Sequence, residues 1–145
     1  MESNEFNAYK RKAVSLLAEE VKSFYCQRFQ DAAQDLKIRQ NNVTVRVKSE
    51  WKDLYIRIQP MRDGRVKLII ARISFSERRA GHGTALVAHL AQSAPNLGHE
   101  YIEIESVNDE SKAFAIRLGM HESEPDCYIA DLPTLLNKIG CSSRA

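Results

Sequence analysis

The segment Arg78-Arg79-Ala80-Gly81-His82-Gly83-Thr84 combines residue types suited to one task, the holding of a phosphate or pyrophosphate. Such a group needs several amide N–H groups converging on one spot. A helix N-terminus supplies them, with about half a positive charge from the helix dipole. It also needs glycines, so that the backbone can approach without a Cβ in the way, and it gains from nearby arginine. The segment is not a Walker A loop, because no Gly-Lys-Ser/Thr follows, and it is not the dinucleotide fingerprint, because the third glycine is missing. The two glycines taken alone fit a tight strand-to-helix turn with no ligand equally well.

Other chemistry-bearing residues are sparse. His82, His89, His99 and His121 show no metal-ligand spacing, so packing or solvated roles are favoured and no metal is expected. Cys26, Cys127 and Cys141 are far apart and odd in number, which argues against a disulfide framework and points to a reducing compartment. With no apolar run at the N-terminus and no stretch long enough to span a bilayer, the expectation is a cytoplasmic protein. Charge is uneven. Residues 1–80 hold 17 Lys and Arg against 10 Asp and Glu, a net +7, and residues 81–145 hold 4 against 9, a net −5. A basic half attracts phosphates, whether of a nucleotide-like cofactor or of nucleic acid, although a solvated face explains it as well.

The elements that must position the loop follow from periodicity. Leu17, Val21, Phe24, Tyr25, Phe29, Ala32 and Leu36 recur at helical spacing, which predicts one long helix from about Asn4 to Leu36, so that residues 1–40 form an N-terminal helical region. Val43, Val45 and Val47, then Leu54, Ile56 and Ile58, alternate with polar residues as two strands, and Asp63-Gly64 marks a hairpin. The third strand, about Arg65 to Phe75, changes phase. Val66, Leu68 and Ile70 share one parity, Ile73 and Phe75 the other. One extra residue near Ala71 would do this, a β-bulge, and burial on both faces is the competing explanation. A helix from about Gly83 to Ser93 buries Leu86, Val87, Leu90 and Ala91. A strand from Tyr101 to Val107 follows, then a helix from about Asp109 to Leu118 with Gly119 as its C-terminal cap. A last strand, Cys127 to Ala130, leads into a short helix ending at Ile139. The strands flanking the Gly83 helix should be parallel through a right-handed crossover. The expected fold is a single α/β domain with a mixed, mostly antiparallel sheet flanked by helices.

These residues resemble the GNAT superfamily of acyl-CoA-dependent N-acyltransferases. The family loop Gln/Arg-x-x-Gly-x-Gly/Ala is matched by Arg78, Gly81 and Gly83. A second match is the aliphatic-Glu-aliphatic strand Ile102-Glu103-Ile104, followed by Asn108, Ser111 and Leu118-Gly119-Met120. The resemblance covers about residues 66–131. It implies that acetyl-CoA (coenzyme A) lies where two strands splay apart. Ile73, Ser74 and Phe75 would offer backbone groups to the pantetheine arm, with the amides of Arg79, Ala80, Gly81, His82, Gly83 and Thr84 on the pyrophosphate. Asn108 and Ser111 would lie near the pantetheine or thiol, and Phe114 is either a cofactor contact or core. Glu103 matches a position that serves as general base in some members. Its alternative is a solvent-facing strand carboxylate, and Glu105 shares its face.

Two departures stand out. The usual general acid, a Tyr seven residues after the Asn, is Ala115 here, with Ser111 and Tyr128 as substitutes unsupported by spacing. The family normally begins with a strand and a helix pair, not one long helix, so the acceptor amine is not readable. The resemblance implies an N-acyltransferase, with a catalytically inactive GNAT-like binding module as the alternative and nucleic-acid binding through the basic half as a third. The oligomeric state is open, a homodimer included.

Overall fold

Alternation of apolar and polar residues builds the centre of the molecule, a seven-stranded sheet. The computed structural model describes residues 3–29, 37–40, 44–48, 52–75, 81–105 and 108–143. Helix α1 (Ser3–Arg28) precedes strands β1 (Lys37–Gln40), β2 (Thr44–Lys48), β3 (Lys52–Pro60) and β4 (Val66–Phe75). Helices α2 (His82–Gln92) and α3 (Ala94–Leu97), strand β5 (Tyr101–Glu105) and helix α4 (Asp109–Arg117) follow. The chain continues through β6 (His121–Glu124), β7 (Cys127–Asp131) and α5 (Leu132–Ser143). The sheet order is β1-β2-β3-β4-β5-β7-β6. Among the described strands only β4 and β5 run parallel, joined through α2 as a crossover requires. The mixed α/β sheet expected from the sequence is therefore the fold observed.

The phase change in β4 is a bulge. Tyr55 of β3 pairs with Arg72 and Ile56 pairs with Ile70, so Ala71 is passed over. Before it, Leu68 and Ile70 face the core. After it, Ile73 pairs with core-facing Leu54 and takes the same face with the opposite parity. Ile69 on the other face is also buried, so both explanations of the phase hold, in different parts of one strand.

One apolar cluster fills the core. Val45, Val47, Leu54, Ile56, Ile58, Leu68, Ile70, Ile102, Ile104 and Ala130 line one face of the sheet, and residues from all five helices join them. α1 buries the stripe Ala13, Val14, Leu17, Ala18, Val21, Phe24 and Tyr25. The Tyr9 hydroxyl ties its start to the Leu97 carbonyl at 2.8 Å. At its middle, Glu20 Oε2 meets His89 Nε2 at 2.8 Å and accepts from Ser93 Oγ at 3.1 Å. The opposite face carries no helix among the described residues. It is lined by ion pairs, Arg57 with Glu105, Lys67 with Glu103 and Arg72 with Asp53. A mostly antiparallel sheet tolerates one wet face.

Four expectations need correction or fall elsewhere. The N-terminal helix ends at Arg28, with Phe29 N closing its last turn on Tyr25 O at 2.8 Å. Residues 37–40 form edge strand β1 against β2, so the helical region does not reach residue 40. Four polar-rich residues, Lys-Ile-Arg-Gln, are too few to show a period of two. β6 was not foreseen either, because His-Glu-Ser-Glu is exposed throughout and owes its form to pairing with β7. α5 runs on to Ser143, beyond the expected end at Ile139. Ala32, Leu36 and Val43 lie outside the described residues. No described helix is long and apolar enough to cross a membrane.

His99, between α3 and β5, is buried to 2% exposure. Burial pushes its pKa down to about 4 from 6.5, partly offset by the backbone of Leu90. Above the unfolded value this costs nothing. As pH falls from about 6.5 towards 4 the unfolded chain takes up a proton that the folded chain resists, so stability is lost, by on the order of 3 kcal/mol when the shift is fully expressed. Urea unfolding of the natural protein and of His99→Gln should therefore converge in stability as pH is lowered through this window. Parallel pH profiles would show that His99 does not carry the acid sensitivity.

Candidate functional site at the parting of two strands

β4 and β5 form a parallel ladder over four pairs, from Lys67 with Tyr101 to Ile70 with Ile104. At the next step the ladder stops. Ala71 is the bulge, and Glu105 pairs only with Cys127 of β7. Beyond it, Arg72, Ile73, Ser74 and Phe75 pair only with β3. Ile73, Ser74 and Phe75 thus lie on a strand whose β5-facing edge has no strand partner among the described residues. An edge of this kind presents backbone donors and acceptors to an extended ligand.

α2 is the next described element after this edge of β4. Gly81 is its N-cap, with φ 78° in the left-handed region that favours glycine, and no side chain caps it. The first intrahelical bond runs from Ala85 N to Gly81 O at 3.0 Å, so the amides of His82, Gly83 and Thr84 precede the ladder. The first turn contains no acidic residue. Leu86, Val87, Leu90 and Ala91 are buried as the periodicity implied, and they fix the helix on the sheet. Arg78, Arg79 and Ala80 lie outside the described residues.

α4 begins differently. Asn108 Oδ1 accepts from the Ser111 amide at 2.9 Å, and Ser111 Oγ donates to the Asn108 carbonyl at 3.1 Å. The two residues singled out from the sequence are thus brought together as a helix cap. Asp109 and Glu110 complete an acidic first turn, a poor place for a phosphate. The two helices converge at Gly83, where an added Cβ would lie 3.1 Å from the Phe114 ring. Gly83 therefore has a packing reason to be glycine, and Phe114 lies at the seam between the helices.

The candidate acid–base groups occupy distinct surroundings. Glu103 is 5% exposed, which excludes the solvent-facing alternative. Its Oε1 lies 3.1 Å from Lys67 Nζ and 3.4 Å from Ser123 Oγ, and it pairs with Ile69, before the strands part. Glu105, one step nearer the opening on the same face, pairs with Arg57. Cys127 opposite Glu105 has its thiol pKa raised by burial and then by Glu103, Glu105 and Glu124, which disfavours a thiolate nucleophile. Ala115 is fully buried. The Tyr128 hydroxyl donates to Glu122 Oε2 at 3.3 Å, on the β6 side of β7 and so away from the opening. Among the described residues no group of three His, Cys, Asp or Glu is placed to hold a metal.

One contributor escaped the sequence. The guanidinium of Arg28, in the last turn of α1, reaches the start of α2. Its Nε donates to His82 Nδ1 at 2.6 Å. It lies 54 residues away in the chain, and a lone Arg at a helix end carries no motif.

No family model and no curated protein sequence matches this chain. Solved structures do. The AtaT–AtaR complex bound to DNA matches with a TM-score of 0.52 at 14% identity, over 66% of this chain and 72% of that one. The KacTA–DNA complex matches with a TM-score of 0.50 at 14% identity, over 86% of this chain and 85% of that one. Both have the GNAT-superfamily fold. This chain has the GNAT fold. The GNAT resemblance read from residues 66–131 thus corresponds to a likeness of the backbone over most of the chain.

The left-handed cap gives a stability test. Gly81→Ala should cost about 1–2 kcal/mol in urea unfolding, the strain of an L-residue in this region. Gly140→Ala, in α5 with nothing within 4 Å of an added Cβ, should be neutral or stabilising. Equal effects at the two sites would show that the cap geometry is not maintained in solution.

Proposed function

We propose that the protein is an acyl-CoA-dependent N-acyltransferase that moves an acetyl group from acetyl-CoA to an amine. One observation carries this reading: β4 and β5 part at Ala71, and the helix that follows β4 starts with neither a side-chain cap nor an acidic first turn. An extended arm ending in a pyrophosphate needs that combination, an unpaired strand edge for its amides and a cluster of helix amides for its phosphates. By the GNAT motif, Arg78, Arg79 and Ala80 would join the cradle, and Asn108 and Ser111 would lie near the pantetheine or thiol.

The bound thioester would supply an activated acyl group. The chain's own residues would bind, orient and move protons. The edge of β4 beyond the bulge would hold the arm in register. The carboxylates of β5 lie on the face of the sheet opposite α2, Glu103 buried beside Lys67 and Glu105 more exposed beside Arg57. Glu103 is the first candidate to take the amine proton, directly or through water, and Glu105 the second. With Ala115 at the usual Tyr position and the Tyr128 hydroxyl turned to Glu122, solvent would return the proton to the leaving thiol.

Ala115 also favours a second reading, a GNAT-fold module that binds the cofactor without turnover. Calorimetry with acetyl-CoA separates the two. The natural protein should bind, and Gly81→Glu, which sets a carboxylate against the phosphates, should bind at least tenfold more weakly. Absence of binding by the natural protein would remove both readings. Binding without acetylation across a broad amine panel would favour the module. Where turnover is found, Glu103→Gln should lower kcat by about a hundredfold and leave the acetyl-CoA Kd nearly unchanged. An unaltered kcat would dismiss Glu103 as the base.

A further inference from the structure

We infer that the helix-free face of the sheet binds single-stranded nucleic acid through one cross-strand row, Arg39, Arg46, Tyr55 and Arg72. This contact and acetyl-CoA binding are independent, and either can be found without the other.

The register sets the row. Arg39 of β1 pairs with Arg46 of β2, Arg46 with Tyr55 of β3, and Tyr55 with Arg72 of β4. Their chain neighbours Ile38, Val45, Val47, Leu54, Ile56 and Ile73 belong to the core side, so the row lies on the other face. Neighbouring strands are about 4.8 Å apart, which makes the row about 14 Å long. Arg72 directly follows the bulge at Ala71, and the row therefore ends at the opening between β4 and β5.

The charge of this row is poorly matched. Arg57 and Lys67 on the same face have Glu105 and Glu103 as partners, and Arg72 has Asp53. The side chains of Arg39, Arg46 and neighbouring Lys48 form no ion pair or hydrogen bond with the described residues. Like charges directly opposite each other across a strand pair are destabilising, and Arg39 faces Arg46 in this way. Arg46 Nε is withdrawn from solvent and makes no hydrogen bond, so its lost hydration is not replaced. An anion laid along the row relieves both.

The other features of the face select the kind of polyanion. Tyr55 stands half-buried between Arg46 and Arg72 in the row, a ring on which a base can stack, with cations on both sides for phosphates. Sheet faces with such rings suit the splayed bases of a single strand. An acidic peptide has no use for the ring. A duplex is read by an element that enters a groove, and this face carries no helix among the described residues. A membrane surface needs apolar side chains to insert, whereas the exposed large hydrophobics among the described residues, Ile116 and Leu136, lie on α4 and α5.

The test is fluorescence anisotropy of a labelled single strand of about 12 nucleotides, as RNA and as DNA, titrated with the natural protein at about 50 and about 200 mM salt. Three phosphate contacts predict a salt slope of about −2, or roughly twentyfold weaker binding across that range. Arg39→Gln and Arg46→Gln should each weaken binding about tenfold and reduce the slope by about 0.7. Arg62→Gln, an equal loss of charge in the turn between β3 and β4, should change Kd by less than about twofold. Tyr55→Ala should weaken binding about tenfold or more, and Tyr55→Phe, which keeps the ring, should bind like the natural protein. Absence of binding by the natural protein at the lower salt would overturn the inference. So would Arg39→Gln and Arg46→Gln binding no more weakly than Arg62→Gln, or a duplex or polyaspartate binding as tightly as the single strand.

Discussion

A single residue without a cross-strand partner, Ala71, governs the rest of the architecture. Up to Ile70 the central sheet is continuous, with β4 serving as the common partner of β3 and β5. The bulge keeps β4 on β3 and ends its ladder with β5. Because a bulge bends and twists the strand that bears it, the two partners of β4 cannot both be followed past this point. β4 stays with β3 for four more residues, and β5 stays with β7. The cleft is thus a gap in hydrogen bonding and not a cavity between domains. Its walls are main chain, stiff because each remains paired on its far side.

The two helix starts near this gap show how different side chains give one backbone feature opposite uses. α4 satisfies its first turn internally, through Asn108 and Ser111, and adds Asp109 and Glu110. α2 starts on Gly81, without a side-chain cap and without acids. Only the second is electrostatically suited to an anion. The helix-free face of the sheet shows a different device. Lys67 and Glu103 are largely withdrawn from solvent and matched. Removing one partner would leave the other buried and unmatched, a penalty of roughly 3–5 kcal/mol. Glu103 is therefore tied to the stability of the sheet as well as being a candidate for proton transfer.

The sequence foretold these features unevenly, for physical reasons. The bulge was legible because apolar parity is strict in a half-buried strand, and Ile73 breaks it. Gly119, in the left-handed region just past α4, was legible because a local backbone demand selects a local residue type. The edge strands were not. β1 and β6 have four residues each and few apolar side chains, and their form comes from pairing with distant partners. Glu103 read equally well as exposed or functional, because Lys67 is its partner only through the parallel ladder. Arg28 was invisible for the same reason in stronger form. Its neighbour at Gly81 is set by where α1 lies, and nothing in the sequence around either residue records that.

The position of α1 has a consequence for the order of assembly. Three of its polar anchors, at Tyr9, Glu20 and Arg28, reach partners 88, 69 and 54 residues further along the chain, while Ser15 meets Gln40 of β1. α1 precedes these partners in the chain, so its anchoring surface is complete only after α2 and α3 have been made. Until then its apolar stripe has only β1 to β4 to shelter it. α1 is thus fully secured only after later elements have formed, and the start of α2 cannot acquire its final surroundings before α1 has docked.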